Sequence, residues 1–438
     1  MRVINGHDPQ QICDALKEVN LIKNGTRPLA IVARTVKGWG AIAEQGTGKH
    51  GTPVKKDKMQ AVLDELDKTA RELGVDKYRN GDLKVNPPPT VPPPTFSEKK
   101  GIRAAPFAEG LAKVGLEKDM SGGKPIAPRK AYGAALVALG EVDRRVVALD
   151  ADVKNSTHSE WFYKQLPDQF LECRIAEQNM ISVAAGLAAA GKIPFVSTFA
   201  KFVMRGYDQV EMAIISGANF KITGSHAGIT LAADGPSQMS GPDVAFFRSF
   251  CHVKNYDGQS AVRYFFPSDA VSCYRITELM ANLDGCCYQR TLRAETKVLY
   301  KPEERFEVGG FKVLREGKDV VFVSAGYMVH ECLKVADELK KSGKSATVID
   351  AYSMPLKTDE LLKIAQRNGG LIVTVEDNYT GGLDAELSIA IANAAADVQL
   401  RSVVVTRIPK SGREPDEVLE YCHVGTRAIL DAVSRVDR

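Results

Sequence analysis

The sequence predicts an α/β protein built from successive open parallel sheets with helices on both faces. Its 438 residues are enough for about three domains, and 44% of them are apolar, an ordinary fraction for globular cores. From residue 128 onward, short apolar strand patterns alternate with helical patterns. That alternation is typical of parallel strands joined by crossover helices.

Charge and cysteine usage exclude several classes of function. Lysine and arginine total 58 against 54 aspartate and glutamate, so the formal charge is only +4, and no long basic block suggests nucleic acid as a partner. The first twenty residues lack the apolar core of a signal peptide, and the longest apolar run is too short for a membrane span. The eight cysteines form no CxxC pair. We therefore expect a cytoplasmic protein with reduced, structural thiols and no metal site of its own.

Residues 1 to 74 have the pattern of the end of an α/β domain. A helix pattern at Gln10 to Val19 precedes a strand-like segment at Pro28 to Thr35. After a glycine-bearing loop, a second helix pattern places its apolar residues on one face, namely Met59, Val62, Leu63, Leu66, Ala70 and Leu73. One strand with two helices cannot bury both faces of a parallel sheet. We expect this domain to be incomplete, with its N-terminal part missing.

Residues 75 to 125 form the expected linker. The segment Asn86 to Thr95 holds six prolines in ten positions, which favours extended polyproline II over a packed element. Such a tract is typical of a spacer between domains. A ligand for a proline-recognising module is the alternative interpretation.

The alternating patterns then define two further domains, at 126–305 and 306–438. The strand patterns of the first of these are Arg145 to Asp152, Phe170 to Ala176, Pro194 to Ala200, Phe220 to Gly228, Val262 to Asp269 and Cys286 to Thr291. The second domain shows the same alternation of strand and helix patterns and ends with a strand pattern at Ser402 to Pro409. Both are expected to be open α/β domains, which bind their ligands at the carboxyl ends of the strands.

Polar side chains follow these strands and are expected to converge at one sheet edge. Glu177 begins a long run of small apolar residues, which predicts a buried helix. A carboxylate there is either a favourable partner for the helix dipole or a functional acid in an apolar site. The same choice between a structural and a functional role applies to the other polar residues of this edge, Ser156, Arg205, His226, Asp234 and Arg293.

Several short motifs in fixed order carry a resemblance to a known family. They are IAEQNM at 175–180, STFAKFVMR at 197–205, GSHAG at 224–228, ADGPSQM at 233–239 and PSDA at 267–270. Together with KGWG and KHGTP near the start and VTRIPKSG near the end, they closely resemble transketolase, a thiamine-diphosphate enzyme. The resemblance implies the tail of a diphosphate-binding domain at 1–74, a pyrimidine-binding domain at 126–305 and the transketolase C-terminal domain at 306–438.

The resemblance also implies a set of residues around the cofactor. Glu177 matches the family's glutamate that hydrogen-bonds the aminopyrimidine ring, where an acid in an apolar site can share a proton with a ring nitrogen. Phe199 and Phe202 match the aromatic positions that pack on that ring. Lys37 matches a cofactor-binding position, and His50 a histidine that exchanges protons with substrate hydroxyls. Without the resemblance, the last two would be interpreted as solvated loop residues.

Sugar phosphates are the substrates that the resemblance implies. Asp234 and Gln238 match groups that bind sugar hydroxyls. The phosphate group is expected to be bound by a cluster of charged and hydroxyl donors, Arg129, Ser156, His226 and Arg293. Arg290 is a second candidate for this cluster.

Two departures from the family pattern change the expectation. Ala232, Ala233 and Asp234 stand where many relatives have Gly-Glu-Asp, so one acid is missing from the substrate rim. The Gly-Asp-Gly motif with its downstream asparagine, which holds Mg²⁺ and the cofactor's diphosphate in the family, is absent from the sequence.

We therefore expect the C-terminal portion of a transketolase, which transfers a two-carbon ketol unit from a ketose phosphate to an aldose phosphate. Thiamine diphosphate would be its cofactor, with the Mg²⁺ ligands supplied by an N-terminal half or subunit. Homo-oligomerisation through the pyrimidine-binding and C-terminal domains is also implied. The alternatives are a related enzyme, such as deoxyxylulose-phosphate synthase or a ketoacid dehydrogenase beta subunit, and a non-catalytic or regulatory transketolase-like partner.

Overall fold

A computed structural model describes residues 1–21, 29–45, 53–75, 101–121 and 123–434. The chain divides into two compact units, an N-terminal unit at Met1–Thr95 and a main unit at Phe96–Arg438. The proline-rich segment 86–95 and His50 lie outside the described residues. What the sequence predicts for them stays a prediction.

The N-terminal unit contains a small parallel sheet. Its strands are β1 (Arg2–Asn5) and β2 (Ile31–Arg34), joined through α1 (Pro9–Leu21) and followed by α2 (Met59–Glu72). The sequence predicts β2 and both helices, but not β1, because four residues carry too little periodicity to stand out. On α2 only Val62 is buried, while the apolar residues Met59, Leu63 and Leu66 are each more than 40% exposed. The predicted apolar face of α2 therefore exists but is largely uncovered.

The main unit is built around two open sheets. The first has seven strands in the order β12, β7, β8, β6, β5, β3, β4, and all except β12 run parallel to their neighbours. The parallel strands are those that the alternating pattern predicts. Their bounds are β3 (Val146–Asp150), β4 (Phe170–Glu172), β5 (Ile193–Phe199), β6 (Lys221–Ser225), β7 (Val262–Phe265), β8 (Cys286–Arg290) and, as the added edge strand, β12 (Ser353–Met354).

Helices cover both faces of the first sheet, as predicted, but two of them, at 107–112 and 117–121, lie inside the segment 75–125 that the sequence predicts as a linker. Alternate residues of β3 show the two-sided burial: Val146 and Ala148 face one apolar core, while Val147 and Leu149 face the other. The helices of this part are α3 (Phe107–Ala112), α4 (Glu117–Ser121), α5 (Pro128–Val142), α6 (Lys154–Thr157), α7 (Ser159–Gln165), α8 (Glu177–Ala189), α9 (Ala200–Val203), α10 (Tyr207–Ile215), α11 (Asp243–Cys251) and α12 (Ala270–Ala281).

The second sheet has five strands in the order β14, β13, β10, β11, β9. Its strands are β9 (Lys312–Arg315), β10 (Val320–Ser324), β11 (Ala346–Asp350), β13 (Leu371–Val375) and β14 (Gln399–Val403). Its helices are α13 (Met328–Lys341), α14 (Thr358–Arg367), α15 (Leu383–Ala394), α16 (Pro415–Tyr421) and α17 (Thr426–Ser434). Strand β9 is antiparallel to β11 and was not predicted. The predicted last strand at 402–409 is wrong in its bounds, since pairing with β13 ends at Val403 and the next residues form a loop.

The two sheets share one apolar core. Strand β12, which follows β11 of the second sheet, adds to the edge of the first sheet beside β7. Val147 and Leu149 of the first sheet and Val321 and Val323 of the second belong to the same buried cluster. The polar loop edges of both sheets are therefore held in a fixed relation, because burying this apolar surface stabilises the contact by about 25 cal/mol per Å².

Helix α8 corrects one expectation. The sequence predicts it as a buried helix, yet only Glu177, Met180, Ile181 and Ala184 are buried along it. The rest of its small apolar surface is partly or fully exposed in this chain. Its composition is that of a helix covered on all sides, so the exposed part is a candidate contact surface.

The helices of the described residues include none long and apolar enough to cross a membrane. All eight cysteines carry free thiols, and six of them are buried.

Candidate active site

Glu177 lies at the start of α8, in the position that the sequence predicts. The side chain is 2% exposed, and Oε2 is buried without a hydrogen-bond partner among the described residues. Nε of Arg205 is 3.3 Å from Oε2, but off hydrogen-bond geometry, and the Arg205 side chain is 55% exposed. A buried carboxylate oxygen without a hydrogen bond is costly, and the ion pair with a half-exposed arginine only partly offsets the loss of water. The oxygen is thus available to a donor from a bound group.

Aromatic rings form a stack where β5 ends. Phe199 is the last residue of β5 and Phe202 lies one turn later in α9; their ring centroids are 4.9 Å apart and nearly parallel. The ring of His226, which follows β6, stacks on Phe199 at 3.9 Å. Neighbouring parallel strands β5 and β6 bring these rings together because their carboxyl ends meet at one sheet edge. The stack offers flat apolar surface for orienting a planar ligand.

His226 is a neutral residue of this edge. It is 2% exposed, and its Nδ1 lies 3.0 Å from Oγ of Ser225. Burial, followed by the charges of Arg129, Arg293 and His158, lowers the pKa of His226 to about 3. Its imidazole therefore contributes hydrogen-bonding capacity but no positive charge near pH 7.

Two of the predicted phosphate arginines line one cleft of about 410 Å³. Arg129, in the first turn of α5, donates from Nη1 to the backbone carbonyl of Ser156 at 2.8 Å, and its Nε is buried without a partner among the described residues. Burial and then the charge of Arg293 lower the pKa of Arg129. Two guanidinium groups that repel each other beside a cleft form a site for an anion.

Asp234 is next to the second of these arginines. Nε of Arg293 lies 3.4 Å from the Asp234 carboxylate, and its Nη1 donates to the carbonyl of Leu231 at 3.1 Å. Asp234 ends the short helical turn Ala232–Asp234, and Gln238 follows in the same loop with a partly exposed side chain. The structure therefore brings Arg129, Ser156, Arg293 and Asp234 together at the edge that also carries His226.

Two predicted site residues belong to the N-terminal unit of the chain. Lys37 lies in a turn of the N-terminal unit at 37–40, and His50 is outside the described residues. Their assignments to the cofactor and the substrate stay predictions.

Arg290 is not a phosphate ligand, contrary to the prediction. It is 0% exposed; its Nε is 2.9 Å from the Asp243 carboxylate, and its Nη1 is 3.6 Å from that of Asp377. The guanidinium also stacks on Phe266, 4.4 Å from the ring centroid. Strand β8 points Arg290 into the protein, whereas Arg293, three residues later, has left the strand and reaches the cleft.

Comparison with known proteins identifies the family. The model described as "Transketolase, pyrimidine binding domain" matches residues 124–297, and "Transketolase, C-terminal domain" matches residues 309–429. Together they match more than half of the chain. This chain belongs to the transketolase family.

Several relatives in the transketolase family match nearly the whole chain. Mouse (Mus musculus) "Transketolase-like protein 2" is 38% identical over 98% of this chain and 65% of its own length. Mouse "Transketolase" is 36% identical over 98% of this chain and 64% of its own length. The chain thus spans about two thirds of the length of these curated relatives.

One solved structure in the transketolase family matches along nearly its whole length. It is described as "Split gene transketolase, inactive beta4 tetramer" and is 33% identical to this chain, with a TM-score of 0.62. The match covers 71% of this chain and 98% of that one.

The transketolase-family cofactor fits the residues of this edge in part. Oε2 of Glu177, which has no hydrogen bond among the described residues, and the stacked pair Phe199 and Phe202 suit an aminopyrimidine ring. Among residues 1–21, 29–45, 53–75, 101–121 and 123–434, no group of three His, Cys, Asp or Glu side chains could hold a metal ion. The residues of this edge therefore suit the pyrimidine end of thiamine diphosphate.

His158 is a residue of this edge that the sequence did not single out. Its φ of 62° is left-handed, its ring stacks on Trp161 at 4.4 Å, and its Nε2 is buried without a partner among the described residues. Burial and the charges of Arg129 and Lys130 lower its pKa to about 4. The strand-end position just after Ser156 and Thr157 was the available signal.

Proposed function

We propose that this chain is the pyrimidine-binding and C-terminal part of a transketolase. It would transfer a two-carbon ketol unit between sugar phosphates when a partner chain supplies the diphosphate-binding half. The observation that carries this proposal is the buried Oε2 of Glu177, which has no hydrogen bond among the described residues, at the sheet edge that also holds the Phe199 and Phe202 stack. Neither feature alone specifies a cofactor, but an acid and aromatic rings at one edge suit a protonatable aromatic ring.

In this proposal Glu177 holds or shares a proton at a ring nitrogen of the pyrimidine, and Phe199 and Phe202 orient the ring. When bound, thiamine diphosphate supplies the electron sink that retains the two-carbon unit during transfer. Glu177 keeps its place because it begins α8 and is enclosed by protein on nearly all sides. Lys37 and His50 are proposed to complete the cofactor and substrate contacts.

The sugar phosphate is proposed to lie in the cleft of Arg129 and Arg293. Guanidinium groups remain charged and bind phosphate oxygens in pairs, which a neutral histidine cannot do. Asp234 and Gln238 would accept or donate hydrogen bonds to sugar hydroxyls, with Ser156 and His226 nearby. The loss of an acid at Ala233 leaves Asp234 as the carboxylate of this turn.

Reconstitution tests the proposal. The full chain is mixed with thiamine diphosphate, Mg²⁺ and a candidate N-terminal transketolase half, and transfer from xylulose 5-phosphate to ribose 5-phosphate is measured. We expect transfer only in the complete mixture, and Glu177→Gln should lower kcat about 100-fold or more, a usual effect of losing acid–base catalysis. Glu360→Gln, an exposed carboxylate in the first turn of α14, is the matched control and should keep activity. Full activity in Glu177→Gln would reject the role of Glu177.

A non-catalytic role within a transketolase assembly is the second candidate. The split-gene relative favours considering it, because that protein is described as an inactive beta4 tetramer. In that case every mixture would lack transfer although the chain binds a complete transketolase. A homo-oligomer is proposed under both functions, supported by the exposed apolar surface of α8. Deoxyxylulose-phosphate synthase activity remains the enzymatic alternative, and a pyruvate-decarboxylation assay separates it from ketol transfer.

A further inference from the structure

We propose that Arg413, from the second sheet's part of the chain, is a third arginine of the phosphate-binding cleft. The inference rests on the proposed function and extends it, since none of the residues predicted for substrate binding comes from beyond Arg293. Arg413 follows the VTRIPKSG motif, lies in the loop between β14 and α16, and lines the same cleft of about 410 Å³ as Arg129 and Arg293.

The loop that carries Arg413 is attached to the turn that carries Asp234. The backbone N–H of Gly412 donates to the carbonyl of Ala232 at 3.2 Å. The contact is tight, because a Cβ added at Gly235 would lie 2.5 Å from Oγ of Ser411. Arg413 is the next residue along, so its Cα is fixed relative to Asp234 and, through Asp234, to Arg293.

Apolar packing holds this attachment in place. Leu231 and Ala232, on the first-sheet side, are 1% and 3% exposed and belong to the same buried cluster as Val418 and Leu419 of α16. Helix α16 starts two residues after Arg413. The position of Arg413 at the cleft is therefore set by one buried cluster that includes residues from both segments, and does not depend on a free loop.

The guanidinium of Arg413 is available to a ligand. Among the described residues it has no hydrogen bond or ion pair, and the residue is exposed at the cleft. Two other cations of the same loop are already engaged: the guanidinium of Arg407 lies 3.9 Å and Nζ of Lys410 lies 4.4 Å from the ring centroid of Tyr421. Of these three side chains, Arg413 alone lines the cleft without such a contact.

Arg413 changes the net charge of the cleft lining. The cleft lining holds three arginines and two glutamates, Glu295 and Glu414, a net charge of +1 that falls to zero when Arg413 is removed. Glu295 is paired with Lys130 at 3.0 Å, but Glu414 is an additional negative charge that opposes an anion. A sugar phosphate carries a charge between about −1.5 and −2 near pH 7. Arg413 thus provides the positive charge that makes the lining attractive to such a group.

Titration calorimetry on the full chain tests the inference without requiring catalysis. Ribose 5-phosphate, inorganic phosphate and ribose are titrated into wild type, Arg413→Gln, Arg413→Lys and Arg293→Gln. We expect Arg413→Gln to weaken ribose 5-phosphate binding at least about 10-fold, the usual size of one charge-assisted hydrogen bond. The affinity of Arg413→Lys should lie between those of wild type and Arg413→Gln, because lysine keeps the positive charge but lacks the paired donors of a guanidinium group. The salt dependence of Arg413→Gln should be shallower than that of wild type.

Arg407→Gln is the matched control, with the same change of charge in the same loop, and should bind ribose 5-phosphate as wild type does. If Arg293→Gln weakens binding and Arg413→Gln does not, the inference is wrong while the proposed phosphate site stands. If wild type binds neither ribose 5-phosphate nor phosphate, the proposed site fails and the inference falls with it. Equal weakening in Arg407→Gln would reduce the effect to general surface charge and also reject the inference.

Discussion

Arg290 and Arg293 lie three residues apart in the sequence, but one is buried and the other is partly exposed at the cleft. Arg290 ends β8 and is enclosed by carboxylates of two parts of the main unit, Asp243 of α11 and Asp377 after β13. The Arg293 side chain is 40% exposed, and its ion-pair partner, Asp234, is also partly exposed. Burial therefore separates a structural arginine from a candidate binding one, although both stand in the same short stretch of sequence.

Removing Arg290 should destabilise the main unit strongly. Arg290→Met leaves Asp243 and Asp377 buried without a countercharge, and burial already raises the pKa of Asp377 to about 6 even with Arg290 present. We expect a loss of about 3–5 kcal/mol in the free energy of unfolding, the range for breaking a buried pair. Urea denaturation followed by tyrosine and tryptophan fluorescence measures it.

Arg293→Met is the comparison for that experiment. Its ion pair is partly exposed, so its loss should change the free energy of unfolding by no more than about 1 kcal/mol. Similar losses in both variants would contradict the distinction between the two arginines.

At the scale of single elements, helix α8 carries two separate features. Its first residue provides the candidate acid, and its outward surface of small apolar residues is uncovered in the single chain. The sequence predicts the helix and its acid correctly because the apolar run and the carboxylate are local. It does not reveal that the rest of this chain buries only part of the helix. Amino-acid composition does not distinguish a helix surface that packs against its own chain from one that packs against another chain.

An arginine on the outward surface of α8 should disrupt the proposed homo-oligomer. Ser182 is exposed, and its hydroxyl donates to the carbonyl of Gln178 within the helix. We expect Ser182→Arg to lower the mass measured by size-exclusion chromatography with light scattering, because a contact between apolar helix faces does not accommodate a charge.

Ser434→Arg provides the matched control on α17, where Ser434 is also exposed and also donates to the carbonyl four residues earlier. It should leave the mass at the wild-type value. An unchanged mass for Ser182→Arg would show that this surface of α8 is not the contact.

At the scale of the whole molecule, polar groups are buried where the two sheets of the main unit meet. Asp350 ends β11 and accepts hydrogen bonds from Oγ of Ser268 at 2.5 Å and from the hydroxyl of Tyr300 at 2.6 Å. Both donors lie on the first-sheet side of the chain. Burial raises the pKa of Asp350 to about 7. The contact between the sheets is thus linked to the protonation of this acid.

This linkage predicts a pH dependence of stability with a definite sign. In the unfolded chain Asp350 has its ordinary pKa of 3.8, so between pH 3.8 and about 7 it is ionised when unfolded and protonated when folded. The contribution of protonated Asp350 to stability is complete below that window and is lost as the pH rises through about 7. When the pH is raised from 5 to 8, the free energy of unfolding of the wild type should fall by about 2–3 kcal/mol more than that of Asp350→Asn.

Urea unfolding of both proteins at pH 5 and pH 8 measures this difference. Comparing the two cancels the contributions of other titrating groups. Asp359→Asn, an exposed acid in the first turn of α14, should follow the wild-type profile. A wild-type profile for Asp350→Asn would contradict the raised pKa.

The order of strands and helices and the set of polar residues after the strands follow from the amino-acid sequence alone, whereas several predicted strands extend beyond the observed ones. The order and these polar residues are encoded in periodicity and in short motifs, as with Glu177 at the head of α8 and His226 after β6. Tertiary packing set which of these groups meet. It buried Arg290, joined β12 to the first sheet and attached the Gly412 loop to the turn of Asp234. Contacts between residues far apart in the sequence depend on how the sheets pack, and no local pattern specifies that packing.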